Sequence, residues 1–81
     1  MSLDTKHFEH SLVIESRALL AKIKLTTCPI WRFHYLGAIS GYCELVIKLK
    51  SHISESVYQQ LIDVEDQALA EISHGATYAQ H

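Results

Sequence analysis

The stretch IWRFHYLGAISGYCELVIKLK, residues 30–50, decides the fold, because it is the most apolar part of the chain. Placed on a helix at 100° per residue, its apolar side chains cover an unusually wide arc. The members of that arc are Trp31, Tyr35, Leu36, Ala38, Ile39, Tyr42, Cys43, Leu45, Val46, Ile47 and Leu49. A helix of this kind needs neighbours on several sides, so we expect it at the centre of the fold.

The same stretch is not a membrane span. A span needs about 18 or more nearly uninterrupted apolar residues. Charged or titratable side chains interrupt this one at Arg32, His34, Glu44 and Lys48. We therefore expect no contact with a membrane.

A second helix-forming segment precedes this stretch. Apolar residues recur at helical spacing in Phe8, Leu12, Leu19 and Ile23, without Pro or Gly between residues 4 and 27. Asp4 or Thr5 can accept the first free amide hydrogens, and residues 26–29 end the helix because residues before proline avoid the helical region. The pattern predicts a first helix over about 4–26.

A third helix is predicted over about 55–73. Ser54 is a good N-cap, and Gly75 is a plausible end signal. One apolar stripe runs through Val57, Leu61, Val64, Ala68 and Ile72. We expect residues 75–81 to form a frayed tail.

These helices predict an all-α fold, a three-helix up-down-up bundle with helices at about 4–26, 30–50 and 55–73. With 81 residues, the chain 1–81 forms a single domain. A domain this small buries only about 60% of its unfolded surface, so we expect self-association to complete it. The alternative is a long hairpin of the first two helices, with the third exchanged into a partner chain.

Charge is distributed unevenly along the chain. The net charge is −2, but all seven Lys and Arg lie in residues 1–50, which carry +3, while residues 51–81 carry −5. The halves should attract each other, within one chain or between chains. A basic cluster of Arg17, Lys22, Lys24 and Arg32 is the only indication of a nucleic-acid regulator. The acidic third helix argues against that interpretation.

Cysteine and histidine usage points away from enzymes and metalloproteins. Two cysteines, Cys28 and Cys43, without a secretory leader pattern, indicate a reducing cytoplasm. His7 and His10 have i, i+3 spacing, but zinc normally needs three or four ligands and the other histidines are scattered. We expect no metal, no cofactor and no catalytic residue.

Glu65 is the most informative single residue. Its helical neighbours at three and four residues are Leu61, Ile62, Ala68 and Leu69. A carboxylate within this stripe must be paired, stay protonated or extend to water. Arg32 is the first candidate partner. A general acid, a metal ligand and a ligand anchor are the functional alternatives for Glu65.

A candidate self-association surface lies outside the expected core. The first helix has a second apolar strip, Ile14, Ala18, Ala21 and Leu25, opposite its main one. Gly37 and Gly41 occupy the polar side of the second helix at a cost of about 1 kcal/mol each. They permit either a close helix crossing, for example with another chain, or a kink.

Two functional hypotheses follow for this chain. The first is a homo-oligomeric protein–protein interaction or regulatory module. The alternative is a small-ligand binder, whose interhelical pocket is lined by Trp31, Tyr35, Tyr42 and Tyr58 and anchored by Glu65. A crowded aromatic core would favour the first hypothesis, and an open cavity at Glu65 the second.

Overall fold

A computed structural model describes residues 5–79, with side chains described for residues 6–73. Its helices are α1 (Thr5–Leu25), α2 (Pro29–Lys48) and α3 (Glu55–Ala79), with a 3₁₀ turn at Lys50–His52. Each helix packs against the other two, and short connections make successive helices antiparallel. The predicted all-α, up-down-up bundle is confirmed, and α3 packs on the first two helices of its own chain. Among residues 5–79, no helix combines the length and apolar character needed to cross a membrane.

The connections between helices follow the predicted local chemistry. Pro29 occupies the first turn of α2, and Cys28 before it has an extended backbone with φ −76° and ψ 118°. Ser54 caps α3, because its Oγ accepts a hydrogen bond from the Val57 N–H at 3.4 Å. The Glu9 carboxylate on α1 accepts from the Ser54 N–H at 2.9 Å and from its Oγ at 3.3 Å. Glu9 thereby joins the start of α1 to the start of α3.

The helix ends differ from the expected positions by a few residues. α1 begins at Thr5, and Asp4 lies outside the described residues. α2 ends at Lys48 and tightens into the 3₁₀ turn, since the extended backbone of Ile53 must lead into the Ser54 cap. α3 continues through Gly75 to Ala79, because a glycine ends a helix only where it leaves the helical backbone. Of the expected frayed tail, residues 75–79 are helical and residues 80–81 lie outside the described range.

The core lies where the three helices face one another. Its buried members are Leu12, Leu20, Ile23, Ile39, Cys43, Val46, Leu61, Val64 and Ala68. The stripes predicted for α1 and α3 supply most of them. The wide arc of α2 is only partly covered: Trp31, Leu45 and Ile47 are exposed. Two neighbouring helices cannot enclose a third on all sides, so part of the apolar surface of α2 faces water.

Candidate functional site

Glu65 lies at the rim of the α2–α3 contact. It is half-buried, and within the described residues it makes no hydrogen bond or ion pair. Its carboxylate is near the Cys43 thiol on α2, and its charge contributes to the electrostatic environment of that thiol. The expected pairing with Arg32 is therefore not observed. Glu65 extends to water past its apolar neighbours, which was the third of the expected options.

Arg32 has a different partner on α3. Its Nη2 donates to the backbone carbonyl of Glu71 at 3.2 Å and lies 3.9 Å from the Glu71 carboxylate. The Nε of Arg32 is buried and has no hydrogen-bond partner among the described residues. This inward orientation removes Arg32 from the predicted basic cluster. Arg17, which also belongs to that cluster, donates to Oε1 of Gln60 at 3.1 Å.

The Cys43 thiol is buried between α2 and α3. Its Sγ donates to the carbonyl of Leu61 at 3.4 Å. Burial, followed by the negative charges of Glu65 and Asp66, raises the pKa of the Cys43 thiol to about 11. Since the thiolate is the reactive form of cysteine, this environment suppresses nucleophilic chemistry at Cys43.

The four candidate pocket aromatics are spread along the bundle. Lys22 Nζ on α1 lies 5.7 Å from the centroid of the Tyr35 ring, whereas Lys50 Nζ lies 5.8 Å from that of Tyr58. Trp31 and Tyr35 are 6.0 Å apart between ring centroids. Eleven residues, about 16 Å of helix, separate Trp31 from Tyr42. The rings therefore do not surround one cavity together with Glu65.

An open groove of about 280 Å³ lies elsewhere, between the N-terminal parts of α1 and α3. It is lined by Lys6, Glu9, His10, Val13, Ile14, Arg17, Val57 and Gln60. Its size is just below that of ordinary small-molecule sites, and three of its polar side chains, Glu9, Arg17 and Gln60, already bond within the protein.

Among the described residues, no three His, Cys, Asp or Glu side chains are grouped so that they could hold a metal ion.

The second apolar strip of α1 is exposed along its length. Ile14 and Leu25 are 49% and 85% exposed, and Ala18 and Ala21 between them are also exposed. The strip faces directly away from the core because it lies opposite Leu12, Leu20 and Ile23 on the helix. The structure thus leaves this candidate surface free within a single chain.

Gly37 and Gly41 lie on the outer side of α2, which is helical through both of them. A Cβ added at either position would meet nothing within 4 Å. The close approach suggested by the glycines is therefore not made inside the chain, and α2 is not interrupted at them. Large apolar side chains flank them: Ile30 is 78% exposed, Phe33 60%, Trp31 54%, Ile47 51% and Leu45 40%.

Sequence reasoning missed three features of the structure. Ser16 is fully buried, and its Oγ has no partner among the described residues. Its position four residues from both Leu12 and Leu20 could have indicated this. The hydrogen bonds between Glu9 and Ser54 join residues that are 45 positions apart, so no local sequence pattern predicts them. Ile30 and Phe33 are exposed, and their position outside the apolar arc of α2 could have indicated this.

Comparison with known proteins gives no information about the function. The sequence matches no family model, and neither the curated proteins nor the solved structures give a match.

Proposed function

We propose that the protein is a homo-oligomeric helical interaction module, in which exposed apolar helix faces bind a further copy of the chain. The observation that carries this proposal is the character of α2. Its apolar residues extend well beyond the face that α1 and α3 cover, and five large apolar side chains remain exposed: Ile30, Trp31, Phe33, Leu45 and Ile47. Exposed apolar surface of this extent on a small domain usually marks an interaction site, so we infer that α2 has a further partner.

A second surface supports the same role. The strip of Ile14, Ala18, Ala21 and Leu25 on α1 is exposed, as self-association would require. Contiguous exposed apolar surface on a small domain usually marks an interaction site. An assembly that uses both α1 and α2 would extend beyond two copies.

The proposed role is binding rather than catalysis. The Cys43 thiol is held protonated and the Glu65 carboxylate faces water, so the residues that looked most reactive are not arranged around a substrate cavity. Both cysteines are free, which supports a reducing compartment such as the cytoplasm. Self-association of this kind suits an adaptor or regulator whose activity depends on its concentration.

Sedimentation equilibrium across a dilution series tests the proposal. Dilution from about 1 mM to about 1 μM covers binding free energies of about −4 to −8 kcal/mol. We expect the mean mass to fall from a multiple of 9.2 kDa towards 9.2 kDa as the protein is diluted. A mass of 9.2 kDa at every concentration would show that the chain does not associate.

The α1 strip has its own test in the same experiment. Ile14→Glu and Ala18→Glu each place a charge in the strip, so we expect a lower mean mass at high concentration. Both positions are exposed in the single chain, and circular dichroism should show the helical content of the parent. An unchanged mass in both variants would exclude the α1 strip as a contact surface.

A further inference from the structure

The outer face of α2 presents one row of exposed residues, which we call the seam. Its members Ile30, His34, Gly37, Gly41, Glu44 and Lys48 are alternately four and three apart, so they lie along one side of the helix. The seam contains one large apolar residue, Ile30, and the other exposed apolar side chains of α2 flank it. The two glycines stand at the middle of the seam and leave room for a second helix to approach closely.

The seam is complementary to itself when the second helix runs antiparallel. With Ile39 as the centre, Gly37 faces Gly41 of the second copy, and His34 faces Glu44, as an imidazole N–H facing a carboxylate. Ile30 faces Lys48, whose aliphatic stem can cover it. Each pairing occurs twice, as a two-fold axis requires.

The exposed apolar side chains on both flanks fit the same register. Phe33 comes beside Ile47 of the second copy on the side towards α3, and Trp31 beside Leu45 on the side towards α1. With their exposed fractions of 40–78%, these side chains and Ile30 would bury on the order of 1,000 Å² over both copies, about the minimum for a specific interface.

We propose that two copies of the chain pair through antiparallel α2 helices, crossing at Gly37 and Gly41. The two-fold axis passes between the two helices level with Ile39, whose own side chain is buried in the core of its chain. This inference rests on the proposed self-association and adds the surface, the orientation and the register. It makes α2 the central helix of a six-helix dimer. The α1 strips remain exposed on that dimer and are available for larger assemblies.

Disulfide trapping tests the orientation and the register. Ile30→Cys and Lys48→Cys, which leave both glycines in place, are made separately in a Cys28→Ser background, with Cys43 retained because it is only 3% exposed. In the antiparallel register, mixing the two variants should give a several-fold higher yield of disulfide-linked dimer than either variant alone, since residues 30 and 48 face each other. Parallel helices would reverse this order, because identical positions would then be opposite. That reversal, or equal yields, would overturn the proposed pairing.

Two glutamate variants separate this inference from the proposed function. Phe33→Glu should abolish the cross-link between the mixed variants, whereas Ile14→Glu on α1 should preserve it. If the parent associates in sedimentation but no α2 cross-link forms, the α2 pairing is wrong and self-association stands. If the parent is monomeric at every concentration, both proposals fail.

Discussion

At the scale of single residues, Glu65 shows how much the surrounding sequence can predict about a side chain. The sequence places it among Leu61, Ile62, Ala68 and Leu69, which predicts that the carboxylate must be paired, protonated or extended to water. Which option holds depends on the side chains that α2 brings opposite it. Glu65 lies near Cys43. Arg32 comes eleven residues before Cys43 on α2 and pairs with Glu71, so Glu65 extends to water.

Replacing Glu65 should therefore have little effect on folding. Glu65→Gln should change the free energy of unfolding by less than about 0.5 kcal/mol, because no buried cation loses its partner. Glu65→Leu should raise it by up to about 1 kcal/mol, because leucine extends the apolar stripe. Glu71→Gln is the matched control and should cost up to about 1 kcal/mol, since Glu71 does pair with Arg32. Urea denaturation measures all three variants, and a loss of several kcal/mol in Glu65→Gln would instead indicate a buried ion pair.

Cys43 and Cys28 should differ strongly in thiol reactivity. Because the Cys43 pKa is raised to about 11, only roughly one in a thousand of its thiols is ionised at pH 8, and reactivity should rise as the pH approaches that pKa. A colourimetric disulfide reagent should therefore label about one thiol per folded chain promptly, at the partly exposed Cys28. Cys28→Ser should remove this fast phase, and urea should make Cys43 reactive. Two equally fast thiols in the folded protein would contradict the burial of Cys43.

At the scale of helices, the sequence predicted the buried faces of α1 and α3 better than the buried face of α2. Both outer helices carry one dominant apolar stripe, and its members, such as Leu12 and Leu61, are buried as expected. The apolar arc of α2 is so wide that the pattern places its centre, where Ile39 is buried, but not its edges. Only tertiary packing decides that Trp31, at one edge of the arc, is exposed.

The glycines of α2 should have opposite effects on folding and on association. Gly37→Ala with Gly41→Ala should raise the free energy of unfolding of the dilute monomer by roughly 1–2 kcal/mol, because alanine favours the helix and its Cβ meets no neighbour in the chain. The same methyl groups should hold two α2 helices apart and weaken association. Urea denaturation at low concentration and sedimentation at high concentration measure the two effects. Stronger association of the double variant would show that the glycines do not form the contact.

At the scale of the whole molecule, the order and direction of the helices could be predicted from the sequence. The hydrogen bonds and the ion pair between the helices could not. Glu9–Ser54 and Arg17–Gln60 join residues 45 and 43 positions apart. The charge asymmetry predicted an attraction between the halves, and Arg32–Glu71 is the one ion pair that realises it within the described residues. Many other pairings would have satisfied the same charges. The structure of a single chain thus accounts for its core but leaves the outer side of α2 without a partner.

The final prediction joins folding to association. If two copies pair through α2, the folded state is stabilised by mass action, and the thermal midpoint must depend on protein concentration. For a domain of this size, each tenfold increase should raise the midpoint by roughly 3–5 °C over the range in which dimers form. Phe33→Glu should remove this dependence while keeping the midpoint of the dilute parent, because Phe33 is 60% exposed and its loss leaves no cavity in the single chain. Differential scanning calorimetry at several concentrations makes the comparison. A midpoint of the parent that is the same at every concentration would mean that the exposed face of α2 contributes nothing to the stability of the fold.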